Sequence, residues 1–189
     1  MSERPATGNI STAADTIDLY ARIESLGVNI WIDGGWGVDA LLGRQTRPHE
    51  DIDIVVEQTH IAKLRSFLEN RNYRDVERDD TSAWNFVMGD DGGHRVDFHV
   101  IVVDQDGNGL YGPVEKGDMY PADALKGEGT IDGHHVRCIS PAWMVKFHSG
   151  YELHQKDYQD VSALCRKFNI PLPEEYSEFE GHLANKKSK

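Results

Sequence analysis

Asp51 and Asp53 are separated by one residue at the start of the run Asp51-Ile52-Asp53-Ile54-Val55-Val56. In an extended strand alternate side chains share a face, so these two carboxylates point the same way, about 7 Å apart, with Ile52, Ile54 and Val56 on the other side. Like charges held so close repel unless a cation bridges them, and Mg²⁺ is bound through one or two carboxylates together with waters and substrate phosphates. Sixteen residues before Asp51, the pair Gly34-Gly35 ends the apolar run Ile30-Trp31-Ile32 and precedes good helix formers from Trp36 to Leu42, with Gly43 suited to the C-terminal cap. A glycine turn at a helix N-terminus offers free N–H groups and the positive end of the macrodipole to an anion. An isolated Asp-x-Asp is more often a solvated strand end, and most glycine pairs only make turns. Together at this spacing they imply one ligand, a metal-bound nucleoside triphosphate.

Other residues can serve the same chemistry. In the expected strand from His94 to Val103, alternation puts Arg95, Asp97 and His99 on one face, so Asp97 joins the acid pair if this strand lies beside theirs. A third carboxylate near the metal can also accept the proton of an attacking hydroxyl. Arg44, Arg47 and His49 flank the acids and suit phosphate oxygens, although arginines beside a helix C-terminus also interact with its dipole without any ligand. Tyr111, Met119 and Tyr120 lie in a Gly-, Asp- and Pro-rich stretch and suit an apolar ring or the face of a sugar. His134, His135, His148 and His154 have no spacing expected of a zinc site.

The elements that must position these groups are legible from caps and periodicity. Thr12-Ala-Ala-Asp15 fits a capping box for a first helix carrying Leu19, Ile23 and Leu26 on one face. Thr59 suits the cap of a helix with Ile61, Leu64 and Leu68 buried, ending near Asn70. Strands are expected at 73–77, 83–88 and 94–103, the last two joined by the turn Gly89-Asp90-Asp91-Gly92-Gly93. Residues 104–129 read as irregular, and Asp132-Gly133 as a hairpin turn. Ser140-Pro141 starts a helix expected to turn Trp143, Met144 and Phe147 inward, and a last helix has Tyr158, Val161, Leu164 and Phe168 as its stripe until Pro171 and Pro173.

The 189-residue chain is 39% hydrophobic and 28% charged, with a net charge of -12. That describes a globular protein with an acidic surface, which disfavours a nucleic-acid partner because counterion release needs a concentrated basic patch. No apolar run is long enough for a membrane span and no secretory leader is evident, so a cytoplasmic location is expected. Cys138 and Cys165 are too few for a disulfide framework or a CxxC zinc site.

A closer resemblance rests on longer segments. Trp31-Ile32-Asp33-Gly34-Gly35-Trp36-Gly37-Val38-Asp39-Ala40-Leu41-Leu42-Gly43, then His49-Glu50-Asp51-Ile52-Asp53-Ile54, resembles the lincosamide nucleotidyltransferases, relatives of the aminoglycoside 2″-adenylyltransferases within the DNA polymerase β-like superfamily. Val96-Asp97-Phe98-His99-Val100, Asn108-Gly109-Leu110-Tyr111-Gly112-Pro113 and the segment from Trp143 to Glu152 look like that group too. The resemblance implies transfer of a nucleoside monophosphate from Mg²⁺-bound ATP or GTP to a hydroxyl of a lincosamide antibiotic, giving drug resistance. It implies Asp51, Asp53 and Asp97 as metal and catalytic residues. It implies Gly34, Gly35, Trp36, Arg44, Arg47, His49 and Lys146 around the nucleotide, although a lone lysine on the helix after Pro141 is more usually its solvent side. An aminoglycoside acceptor and a protein- or RNA-modifying toxin are the rival readings.

The expected fold is α/β (α+β) of the nucleotidyltransferase type, a small mixed sheet flanked by helices with a C-terminal helical segment. The expected organisation is an arm at 1–10, a catalytic domain at 11–140, a helical segment at 141–175 and a loose tail at 176–189. The sequence leaves open whether the chain forms a homodimer.

Overall fold

The computed structural model describes residues 11–113 and 117–179. The arm expected at 1–10 and the tail from 180 onward lie outside the described residues. Helix α1 spans Ala13–Ser25; Thr12 Oγ1 accepts from the Asp15 N–H while Asp15 accepts from the Thr12 N–H, closing the expected capping box. Its Leu19, Tyr20 and Ile23 are buried, as their helical spacing requires.

The centre of the molecule is the strand–turn–helix–strand unit formed by β1 (Ile30–Ile32), α2 (Gly34–Leu42) and β2 (Ile52–Glu57). Gly43 closes α2 in the left-handed conformation, with φ 71°. The second helix of the unit's continuation, α3 (Ile61–Glu69), is entered through a 3-10 turn at Gln58–His60 instead of a Thr59 cap. The Thr59 hydroxyl is directed at the Glu57 carboxylate.

Strands β3 (Arg74–Val76), β4 (Asn85–Gly89), β5 (Arg95–Val103), β6 (Gly109–Tyr111), β7 (Asp118–Tyr120), β8 (Gly127–Ile131) and β9 (His134–Cys138) complete the sheet. Among the described residues it has nine strands, ordered β3-β4-β5-β2-β1-β9-β8, with β6 pairing β5 and β7 pairing β6. It is mixed: β2 runs parallel to β5 and antiparallel to β1, and β1 is parallel to β9. The sheet is therefore larger than expected, because the described part of 104–129 is not irregular throughout. It supplies β6 and β7, three-residue strands too short for alternation to reveal, β6 held by the far end of β5 and β7 by β6, and the start of β8, which pairs with β9. The Asp132-Gly133 hairpin turn is as expected, both residues having positive φ (47° and 79°).

The core lies on both faces of β2, where Ile54, Val55 and Val56 are fully buried together with Phe98 and Val100 of β5. Helices α4 (Pro141–Phe147) and α5 (Gln155–Phe168) follow. Two details differ from the sequence reading. In α4 the buried side chains are Met144 and Val145, while Trp143 and Phe147 are half-exposed. In α5 the buried face holds Asp157, Asp160, Val161, Leu164 and Cys165, and Phe168 is exposed. Acidic residues take inward positions there because each has a partner inside the protein. Residues 174–179 are helical and Tyr176 is buried, its hydroxyl donating to the His148 carbonyl, so the described part of the expected loose tail is anchored.

Candidate active site

Asp33 ends β1 and fixes the turn. Its N–H donates to the Asp53 carbonyl at 2.9 Å, and its carboxylate accepts from the Gly34 N–H at 2.8 Å as the N-cap of α2. Gly34 has φ +54°, and a Cβ placed on it would stand 2.6 Å from Asp53 Cγ, closer still to the carboxylate oxygen. Both the dihedral and the space exclude a side chain, so the Asp53 carboxylate lies directly against the helix N-terminus.

In the parallel pairing of β2 with β5, Asp53 is the register partner of Asp97. Neighbouring strands are about 4.8 Å apart, and paired residues face the same side. Asp51 immediately precedes β2. Burial pushes its carboxyl up to about 6, and repulsion from Asp53 and then Asp97 adds to the rise, while Lys156 opposes it. Asp97 is only 6% exposed, and burial raises it too. One of its oxygens accepts from Arg78 Nη1 at 2.7 Å; the other is buried without a hydrogen-bond partner. Arg78 also forms an ion pair with Asp80.

Among the described residues, no three His, Cys, Asp or Glu side chains are arranged to hold a metal ion unaided. The fit is to an ion that completes its shell with substrate phosphates: mutually repelling carboxylates, and a buried oxygen on Asp97 that has no hydrogen-bond partner.

A cleft of about 520 Å³ opens over the glycine turn and the Asp51–Asp53 pair, with Asp97 outside its lining. It is lined by Gly34, Gly35, Asp51 and Asp53, with Arg47, His49, His148 and Lys156 around them. The structure thus brings together Gly34, Gly35, Arg47, His49, Asp51 and Asp53. It does not bring Arg44, Trp36 or Lys146 to this cleft. Arg44 follows the C-terminal cap of α2, and nine residues at 1.5 Å rise put it roughly 13 Å from the glycine turn. It lines a separate cleft with Trp36, Gln45 and Thr130. Trp36 is 1% exposed and packs its ring 4.7 Å from that of His49, a core role. Lys146 is on the last turn of α4, its Nζ 4.2 Å from the Trp143 ring centroid. Lys156, at the start of α5, is the lysine at the acid pair; nothing local marked it, because its position depends on how α5 docks.

The second cleft, about 450 Å³, is lined by Tyr111, Asp118, Met119, Tyr120, Trp143, Lys146, Phe147 and Ser149. Tyr120 packs edge-on against Phe147 at 4.8 Å and Tyr111 at 6.0 Å. Its hydroxyl donates to Asp33 at 3.3 Å, so the aromatic wall is tied to the residue that caps the glycine turn. Burial and the Asp33 charge push that phenol's pKa well up, which keeps it a donor. His99 sits between the clefts, 3.8 Å from Asp53 and edge-on to Tyr111 at 5.8 Å. Burial opposes its charge, but Asp53, Asp33 and Asp97 outweigh burial and raise it to about 9, which favours the charged imidazolium. Strand alternation already placed it on the Asp97 face.

The geometry agrees with what comparison with known proteins finds. The sequence profile of the aminoglycoside-2″-adenylyltransferase family matches residues 15–164. A lincosamide resistance protein of Staphylococcus haemolyticus is 32% identical over 148 residues, covering 78% of this chain and 89% of that protein. A 2″-aminoglycoside nucleotidyltransferase of Escherichia coli is 37% identical, but over 51 residues, 27% of this chain and 29% of that one. Among solved structures, the lincosamide antibiotic adenylyltransferase LnuA with lincomycin bound superposes with a TM-score of 0.73 at 29% identity, covering 86% of this chain and 100% of that chain. ANT(2″)-Ia in complex with adenylyl-2″-tobramycin shares the fold, with a TM-score of 0.65 at 21% identity and coverage of 93% and 99%. The chain is a nucleotidyltransferase and belongs to the aminoglycoside-2″-adenylyltransferase family.

Proposed function

We propose that this protein transfers a nucleoside monophosphate from Mg²⁺-bound ATP or GTP to a hydroxyl of a lincosamide antibiotic and so confers resistance. The observation that carries the reading is the Tyr120–Asp33 hydrogen bond, which ties the aromatic cleft to the glycine turn beside the acids. On one side Asp53 lies against the Gly34 turn beside Asp97; on the other stands an aromatic wall held to that turn by Tyr120 and Asp33. The lincosamide acceptor is supported by a relative that matches over most of both chains and by the likeness to a lincomycin-bound enzyme. The aminoglycoside alternative rests on a 51-residue match and on likeness of fold.

In this reading Asp51 and Asp53 would hold Mg²⁺, which would supply neutralisation of the triphosphate charge. The N–H groups at the start of α2, with Arg47 and Lys156, bind phosphate oxygens and fix the α-phosphorus in line. Tyr111, Met119, Tyr120, Trp143 and Phe147 seat the acceptor. Its hydroxyl oxygen bonds to the α-phosphorus as the bond to the bridging oxygen breaks and pyrophosphate leaves. The free oxygen of Asp97 takes the hydroxyl proton, its raised pKa suiting it to a base.

We assign 11–140 as the catalytic domain and 141–175 as a helical segment that completes both clefts. The acidic charge of -12 fits a small-molecule acceptor in place of nucleic acid. Among the described residues no helix is long and apolar enough to cross a membrane, and we place the activity in the cytoplasm. The test is incubation with Mg²⁺, each nucleoside triphosphate, and panels of lincosamides and aminoglycosides, reading drug mass. A lincosamide gaining the mass of one nucleoside monophosphate supports the proposal. Modification confined to aminoglycosides, or to protein or RNA, overturns it.

A further inference from the structure

A buried polar chain runs beneath the glycine turn. Arg47 donates through Nε and Nη2 to one oxygen of Asp160 on α5, at 3.2 and 2.8 Å, and through Nη1 to the Pro48 carbonyl. Arg47 Nη1 is also 3.0 Å from His49 Nδ1. An arginine can only donate, so that ring nitrogen presents its lone pair and the proton is on Nε2. His49 Nε2 therefore donates to Asp39, at 2.5 Å, and the other Asp39 oxygen accepts from both the N–H and the hydroxyl of Thr46. Asp39, His49 and Asp160 are each 3% exposed or less.

These bonds use four of the five N–H donors of Arg47. The fifth is on Nη2, which stands 2.8 Å from where a Cβ of Gly35 would be. The guanidinium is thus held from behind on two sides, with a single donor left at the floor of the cleft that also contains Asp51 and Asp53. Buried acids paired in this way are costly to desolvate, and truncating either partner leaves a buried charge uncompensated.

We infer that Asp160 of the C-terminal helical segment is a positioning residue for the nucleotide, fixing Arg47 so that its free N–H meets a phosphate oxygen at the glycine turn, with Asp39 acting likewise through His49. This rests on the nucleotidyl-transfer reading and makes α5 part of nucleotide recognition.

The experiment measures binding of a non-cleavable ATP or GTP analogue with Mg²⁺, in the absence of acceptor, beside steady-state kinetics. Asp160→Asn is expected to weaken analogue binding about tenfold or more, raising KM for the nucleotide while KM for the acceptor stays within about twofold. In the Arg47→Ala background the same substitution should add nothing, since both act on one contact. Arg47→Lys keeps both charges paired and tests the fork even if Asp160→Asn folds poorly; it should weaken analogue binding to a similar degree. Normal analogue binding by Arg47→Lys, or additive losses in the double variant, overturns the inference. Failure of the wild-type protein to bind any nucleotide analogue would instead overturn the reading on which it rests.

Discussion

The Asp53 carboxylate occupies the space that a side chain at Gly34 would need, so strand β2 and the N-terminus of α2 meet only because residue 34 is glycine. The same residue has φ +54°, a conformation costly to any residue with a Cβ. Gly34→Ala is therefore expected to lose about 1–3 kcal/mol of stability. It should also slow transfer at least about a hundredfold, because a displacement of about 1 Å between reacting groups has that effect. Thermal unfolding and single-turnover kinetics would measure the two losses, and a variant with near-normal turnover would refute the packing of Asp53 on this turn as a feature of the site.

Asp97 has one oxygen tied to Arg78 and one free. Replacing it by Asn preserves shape but removes the basic oxygen, so the chemical step should fall at least about a hundredfold while Mg²⁺–nucleotide affinity changes much less. Comparable losses in both would mean that Asp97 serves the metal and not the proton.

The raised carboxyl of Asp51 makes a pH prediction. Its folded-state value of about 6 lies above the ordinary 3.8, so the metal-free native state holds a proton that the unfolded chain has released. Native proton uptake exceeds that of the unfolded state between those values, and stability of the metal-free protein should fall as pH rises from about 4 to about 6. Asp51→Asn should reduce this slope to the part that Asp97 contributes, and melt higher than wild type in chelator at neutral pH. Since binding a cation requires the charged carboxylate, Mg²⁺ affinity should weaken as pH drops through about 6. Melting curves across pH, with and without Mg²⁺, test both signs.

Two lysines should separate by substrate. Lys156 lines the cleft of the acid pair and Lys146 the aromatic one. Lys156→Ala is expected to raise KM for the nucleotide by about tenfold, equivalent to ~1.4 kcal/mol, leaving acceptor KM almost unchanged. Lys146→Ala should do the reverse, and kinetics varying each substrate in turn would show an exchange of roles if the assignment is wrong.

What the sequence determined was local and periodic. The Thr12 capping box, the Asp33-Gly34-Gly35 turn, the alternation that put Asp97 and His99 on one face of β5, and the Asp132-Gly133 hairpin depend on residues a few positions apart, and their dihedral and spacing requirements are written in residue type. Tertiary structure decided which distant cations and rings meet those acids. Lys146 and Lys156 are ten residues apart and chemically alike, yet the break between α4 and α5 sends one to the aromatic cleft and the other to Asp51. Arg78, from the loop between β3 and β4, reaches Asp97 only because β4 and β5 are adjacent in the sheet. Asp160 looks like the solvent side of an amphipathic helix until Arg47 is found beneath it, more than a hundred residues away in the chain. Periodicity reports which face of an element is buried, but the partner waiting on the other side of that interface is fixed only by packing.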